Sequence, residues 1–324
     1  MVKRASPFRD ILLFPSQNLV YVIPSIILFG LLWGYFFDTS ALKPLILPTV
    51  VLMVYPAMIG FSLDELVRLR EKKLVLLSFF VNFLLVPLVA YSLGLLFLFG
   101  SPRLFAGLVI TSLLPTSNMT VAYTVLAKGN VKAAIKITVT SLILGSLLAP
   151  LYLYVFLGKY VPVDSVATLK LIGIVVFLPL AMGVLTFKCL LTKYTMDEFN
   201  ERIKPFLPGI CAWGAILIIF ISVSMKSRSV FDNPDILAVA LFVQAVFYFM
   251  NYVFAVAGSR LSKLSREDGY TFVYSTVLRN LAISMGLASA LFDNQAAFMV
   301  SLAFLFQPIA AVWFEKLNER YHLL

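Results

Sequence analysis

Ten apolar stretches, separated by short charged connections, constrain this chain more than any other feature. They cover residues 17–37, 44–63, 74–99, 103–127, 131–158, 165–190, 207–225, 235–258, 269–292 and 294–316. Those lengths are what the hydrocarbon core of a bilayer demands of a helix. With 61% of its 324 residues apolar and 13% charged, the chain lies outside the composition of soluble globular domains. The fold class expected is an all-α polytopic membrane protein with ten transmembrane helices. The opening segment MVKRASPFRDILLFPSQ has neither an apolar core nor a small-residue cleavage site, so the first span is expected to act as its own insertion signal. Cys189 and Cys211 read as packed membrane residues, and His322 is the single histidine. No cofactor or metal is implied. The formal charge of +10 is assigned to topology and the lipid bilayer, and no nucleic-acid partner is expected.

Lysines and arginines are distributed unevenly across these spans. Nineteen fall on the side of the N-terminus and six on the other, with Arg279 belonging to neither. That bias predicts cytoplasmic termini in a cell membrane. The charged segments DELVRLREKK and TKYTMDEFNERIKP, after spans two and six, resemble each other and are expected to lie along the interface. Span four is interrupted at Pro115–Asn118, and span nine changes character at Leu278-Arg279-Asn280. These are equivalent positions if residues 1–160 and 161–324 are two five-helix repeats. Because five is odd, the second repeat would be inverted. Paired interrupted helices in inverted repeats point to a transporter site at the membrane midplane, where freed backbone lines a cavity.

Polar residues concentrate at those breaks. Pro115 removes a backbone donor, and Thr116, Ser117 and Asn118 supply oxygens and donors at the same depth; a simple proline kink is the competing reading. All sixteen acids fall in tails, connections or span ends. Two basic residues lie deeper. Arg279 sits far from either end of span nine, and Lys136 about one and a half turns into span five, where its chain could also snorkel to the interface. Asn82 precedes Pro87 in span three. Thr138, Thr140 and Ser141 lie in span five, Gln244 and Asn251 in span eight, and Gln307-Pro308 in span ten. Each of these serves equally well as glue between helices.

The runs KKLVLLSFFVNFLLVPL (72–88), PTSNMTVAYTVLAKGN (115–130) and NLAISMGLASALFDNQAAF (280–298) resemble the superfamily of bile acid/sodium symporters and arsenical-resistance arsenite permeases. The resemblance covers nearly the whole chain, and its most specific element is the span-four run ending in LAKGN. It implies a ten-helix inverted-repeat fold, with a panel domain of helices 1, 2, 6 and 7 and a core domain of helices 3–5 and 8–10. The two broken helices would cross at the binding site. Spacing in 115–130, with MVYP at 53–56, is closer to the arsenite permeases. Those carry a cysteine where this chain has Thr116 and a glutamate where it has Asn280, and a soft thiophilic substrate needs the thiol. Against the symporters' two cation sites, the span-three amide falls on Asn82. A span-five hydroxyl is kept at Thr140, while another is replaced by Lys136. The span-nine glutamate falls on Ser275 and the amide on Arg279. Both sites would thus have gained a tethered cation and lost their carboxylate.

The function expected is secondary active transport of a small anion, an organic one, by a monomer or homodimer, sodium-independent or proton-coupled through Lys136. Arsenite/antimonite efflux and sodium-coupled organic anion symport are the alternatives. Arg279, Asn280, Thr116, Ser117 and Asn118 are the expected substrate ligands; Lys136, Thr140, Asn82, Ser275 and Gln307 are the expected ion-coupling residues or cation substitutes. A channel would need a continuous polar stripe, and an intramembrane enzyme would need paired carboxylates or a nucleophile beside a base. Neither pattern is present.

Overall fold

The computed structural model describes residues 7–60, 72–161 and 163–324. Among them all regular structure is helical. The chain opens with α1 (Pro7–Gln17) and α2 (Leu19–Phe36), then a 3₁₀ turn at Ser40–Leu45 running into α3 (Ile46–Met58). Next come α4 (Lys72–Phe80), α5 (Val86–Phe97), α6 (Pro102–Leu113), α7 (Asn118–Leu126) and α8 (Val131–Leu157). Then follow α9 (Ser165–Ile172), α10 (Leu178–Leu191), the short α11 (Met196–Glu198), α12 (Leu207–Ser224) and α13 (Ser227–Asp232). The chain closes with α14 (Pro234–Leu261), α15 (Arg266–Val277), α16 (Leu281–Leu291) and α17 (Asn294–Tyr321). Among the described residues, eight helical segments are long and apolar enough to cross a membrane. The expected fourth and ninth spans are each two shorter helices, α6 with α7 and α15 with α16. This is a multi-pass membrane protein. The DELVRLREKK segment lies almost wholly outside the described residues; TKYTMDEFNERIKP forms α11 and the irregular helical turns leading into α12.

Proline accounts for several local features. Pro102, Pro208 and Pro234 sit in first turns, where a missing N–H costs nothing. Pro87 and Pro179 instead fall inside spans three and six, and each follows a π-helical turn, Val81–Leu85 and Gly173–Phe177. The wider turn relieves the clash of the ring with the preceding carbonyls. In span three the carbonyl freed four residues before Pro87 belongs to Phe83, and it accepts a hydrogen bond from the Tyr152 hydroxyl of α8.

Without a hydrophobic drive between helices in lipid, close approach depends on small residues. A Cβ placed on Gly34 of α2 would stand 2.0 Å from the Ser224 carbonyl at the end of α12. One placed on Gly107 of α6 would stand 2.4 Å from the Ala296 carbonyl of α17. The second contact locks α6 beside the helix carrying Gln307, which sets the position of the break that follows α6.

Candidate functional site

Span four breaks because Pro115 disfavours helical geometry at Leu114, whose φ and ψ are −110° and 80°. Thr116 is then left-handed, with φ 64°, and Ser117 is extended as it caps α7. Span nine contains neither proline nor glycine at its break, so the interruption has another cause. The Gln307 side chain of α17 accepts from the Arg279 backbone N–H at 2.8 Å and donates to the Arg279 carbonyl at 3.2 Å. One amide thus replaces the bonds that a continuous helix would supply. The two breaks then pair with each other. Pro115 and Arg279 stand opposite in an antiparallel bridge; Thr116 N–H donates to Leu278 O and Asn280 N–H to Leu114 O, both at 2.9 Å.

Four helix ends therefore converge. The C-termini of α6 and α15 bring partial negative charge, and the N-termini of α7 and α16 bring partial positive charge. Arg279 is fully buried, and its guanidinium lies at the negative ends, donating to Ser112 O at 3.4 Å and Thr276 O at 2.6 Å. Its Nε has no partner. Tyr248 extends the network by donating to Gln307 Oε1 at 3.3 Å. Among the described residues, Arg279 and Lys136 are the charged side chains in the buried set, and no carboxylate is among them. Lys136 is 4% exposed, so its chain does not run out to the interface.

The other expected residues divide. Asn82 is brought against Ser275, donating to the Ser275 carbonyl and to Ser78 Oγ, each at 3.1 Å, and Ser78 and Ser275 exchange a hydroxyl bond at 3.2 Å. The Asn82 side-chain oxygen Oδ1 is left without a partner. Several other groups are spent locally. The Thr116 hydroxyl donates to Pro115 O and that of Thr140 to Lys136 O. Asn280 Oδ1 accepts from Ile283 N–H to cap α16; the Ser117 N–H donates to Thr120 Oγ1 at 3.2 Å, whereas the Ser117 hydroxyl has no partner. The role expected of the Asn118 side chain lies outside the described residues. Sequence reasoning did not single out Ser78, although it stands one helical turn from Asn82, nor Tyr248, one turn from Gln244. Ser112 and Thr276 contribute backbone carbonyls, which leave no trace in a sequence. Because α17 runs on to Tyr321, Glu315 lies within the helix and is half-buried.

Residues 47–233 match the model of the Sodium Bile acid symporter family. Among curated proteins, the chain is 25% identical over 249 residues to the uncharacterized protein YbaS of Bacillus subtilis (strain 168), covering 77% of this chain and 80% of that one. It is 24% identical over 271 residues to the probable chloroplastic sodium/metabolite cotransporter BASS3 of Oryza sativa subsp. japonica, covering 81% of this chain and 62% of that one. It is 26% identical over 245 residues to the corresponding BASS5 of Arabidopsis thaliana, covering 71% and 57%. The chain thus spans less than two thirds of these plant relatives.

Proposed function

Because this chain belongs to the Sodium Bile acid symporter family, whose members are secondary transporters rather than enzymes, we propose that it carries a small organic anion by alternating access. The observation that carries this reading is the buried Arg279 guanidinium on the C-terminal carbonyls of α6 and α15. With those negative ends neutralised, the N-termini of α7 and α16 remain as uncompensated positive ends, which favour an anion. The unpartnered Arg279 Nε and buried Lys136 add to that field. An arginine at the carbonyls where a mobile cation would bind is a positive charge that cannot leave. Anion binding at the crossover is therefore independent of sodium, whatever the names of the plant relatives say of those proteins.

The same reading treats residues 1–160 and 161–324 as inverted repeats. The panel helices are α2, α3, α9–α10 and α12, and the core is formed by α4–α8 and α14–α17. Both termini lie in the cytoplasm and the protein in the cell membrane, supported by the lysine and arginine bias. Thr116, where the arsenite permeases carry their cysteine, and the distance in sequence of Cys189 and Cys211 from both breaks disfavour arsenite. Purified protein titrated with a panel of small mono- and dicarboxylates, arsenite and antimonite tests the proposal. Saturable binding of a carboxylate supports it; binding of arsenite alone overturns it.

A further inference from the structure

Lysine and arginine lie mainly on one side of the membrane, and topology accounts for that excess without saying where around the rim it falls. The fold distributes it unevenly. At the cytoplasmic ends of α4, α7, α8, α14 and α15, Lys72, Lys73, Lys128, Lys132, Arg260, Lys263 and Arg266 are all exposed. Among the described residues at those ends, two acids stand with them, Glu267 and Asp268. Asp268 is already engaged, its Oδ1 accepting from Asn130 Nδ2 at 2.8 Å. At the end of α17, Lys316 and Arg320 are balanced by Glu315 and Glu319. The panel side is balanced too. There Arg9, Lys188, Lys193, Arg202 and Lys204 meet Asp10, Asp197, Glu198 and Glu201, with Arg202 3.8 Å from Glu198.

The core helix ends are drawn together by their own bonds. Lys73 Nζ donates to Ser262 O at the end of α14. Asn130 N–H, in the turn between α7 and α8, donates to Glu267 O at 3.2 Å, and Thr271 Oγ1 donates to Asn130 O at the same distance. Arg260 donates to the carbonyls of His322 and Leu323, and Arg266 lies over the Tyr270 ring at 5.8 Å. Lys72 and Lys263 therefore flank the contact between α4 and α14, and both are exposed. Each has an exposed leucine close by on its own helix. Leu76, one turn beyond Lys72, is 66% exposed, and Leu261, two residues before Lys263, is 84% exposed. A soluble anion would use the cations alone. A phospholipid uses both parts, headgroup on the cations and acyl chains on the leucines.

We propose that the cytoplasmic rim of the core binds anionic phospholipid, with Lys72 and Lys263 at the headgroup phosphate and Leu76 and Leu261 against the acyl chains. The word cytoplasmic rests on the topology given above; the charge asymmetry between core and panel does not. Attraction to anionic headgroups is local and screened by salt, so lipid gathers at the core rim and not at the balanced panel rim.

The test uses purified full-length protein in neutral detergent with no organic anion present, so its failure is distinct from failure of the anion reading. Binding of phosphatidylglycerol and of phosphatidylcholine with the same acyl chains is measured by native mass spectrometry, alongside melting temperature. Tighter binding of phosphatidylglycerol, and stabilisation by it that declines with added salt, are expected. Lys72→Gln or Lys263→Gln alone weakens phosphatidylglycerol binding by about fivefold, and the double variant by about thirtyfold (~2 kcal/mol). Melting in phosphatidylcholine shows whether each variant is folded, and Lys72→Arg/Lys263→Arg, which keeps both charges, retains the preference. Equal affinity for the two lipids overturns the proposal. So does a preference that survives the double glutamine variant, or one lost in Lys188→Gln/Lys193→Gln on the panel side instead. Inorganic phosphate that displaces the lipid completely would make this a free-anion site and also overturns it.

Discussion

Replacing Arg279 with methionine separates its two possible roles, structural charge and anion anchor. The substitution removes the bonds to Ser112 O and Thr276 O. Bonds from a charged donor contribute about 1.5–3 kcal/mol each, although the 3.4 Å bond to Ser112 belongs at the bottom of that range. The guanidinium is also 0% exposed, and taking a charge out of water costs several kcal/mol. Methionine restores that cost while filling similar volume. The two effects offset, so the melting temperature is expected to move by only a few degrees. The break itself survives, because Gln307 holds the Arg279 backbone rather than its side chain. Anion binding has no such compensation. Losing a buried charge partner costs about 2–5 kcal/mol, which is about thirtyfold to several thousandfold in affinity at ~1.4 kcal/mol per tenfold. Arg279→Lys keeps the charge but cannot span both carbonyls, so its affinity falls between the two. Calorimetry or equilibrium binding of whichever carboxylate the wild type binds, alongside thermal melts, gives both readouts. A large drop in melting temperature with an unchanged dissociation constant would refute the reasoning and leave Arg279 a structural charge.

Three further outcomes follow from the packing and the site. Gly107→Ala sets a methyl 2.4 Å from the Ala296 carbonyl, a backbone atom that cannot swing away. It should destabilise by about 1–3 kcal/mol and impair transport by parting α6 from α17, both visible in melts and uptake assays. Tyr152→Phe leaves the Phe83 carbonyl beside Pro87 without its donor and should lower stability by about 1–3 kcal/mol in thermal or denaturant titrations. Expression should not protect arsenite-sensitive cells, and Thr116→Cys, which supplies the missing thiol, is the variant in which any protection should first be seen in growth assays.

Much of the architecture was legible because a bilayer imposes its own lengths. The span expected at 131–158 is the helix Val131–Leu157, and the break expected at Pro115–Asn118 separates α6 from α7. Proline made that break readable. The break in span nine was legible only from the misplaced charge of Arg279 and the matching position in the other half, because the group that holds it open, the Gln307 amide, lies 28 residues further along the chain. What Arg279 touches was not legible at all, since backbone carbonyls look the same in every residue. The π turns before Pro87 and Pro179 likewise follow from a steric conflict that the surroundings resolve, and a proline alone does not say how. Glu315 read as a span end because the apolar run stops at 316, and it is half-buried on a helix that continues for more than a turn beyond it.

The central claim is that the positive charge at the crossover belongs to the protein. Equilibrium binding of the preferred carboxylate, measured with the same purified protein in sodium chloride and in choline chloride, tests it most directly. The tethered Arg279 predicts the same dissociation constant in both media, and loss of binding in both when Arg279 is replaced by methionine. Binding that disappears in choline and returns when sodium is added would contradict the claim, because a mobile ion would then be supplying the charge assigned here to Arg279.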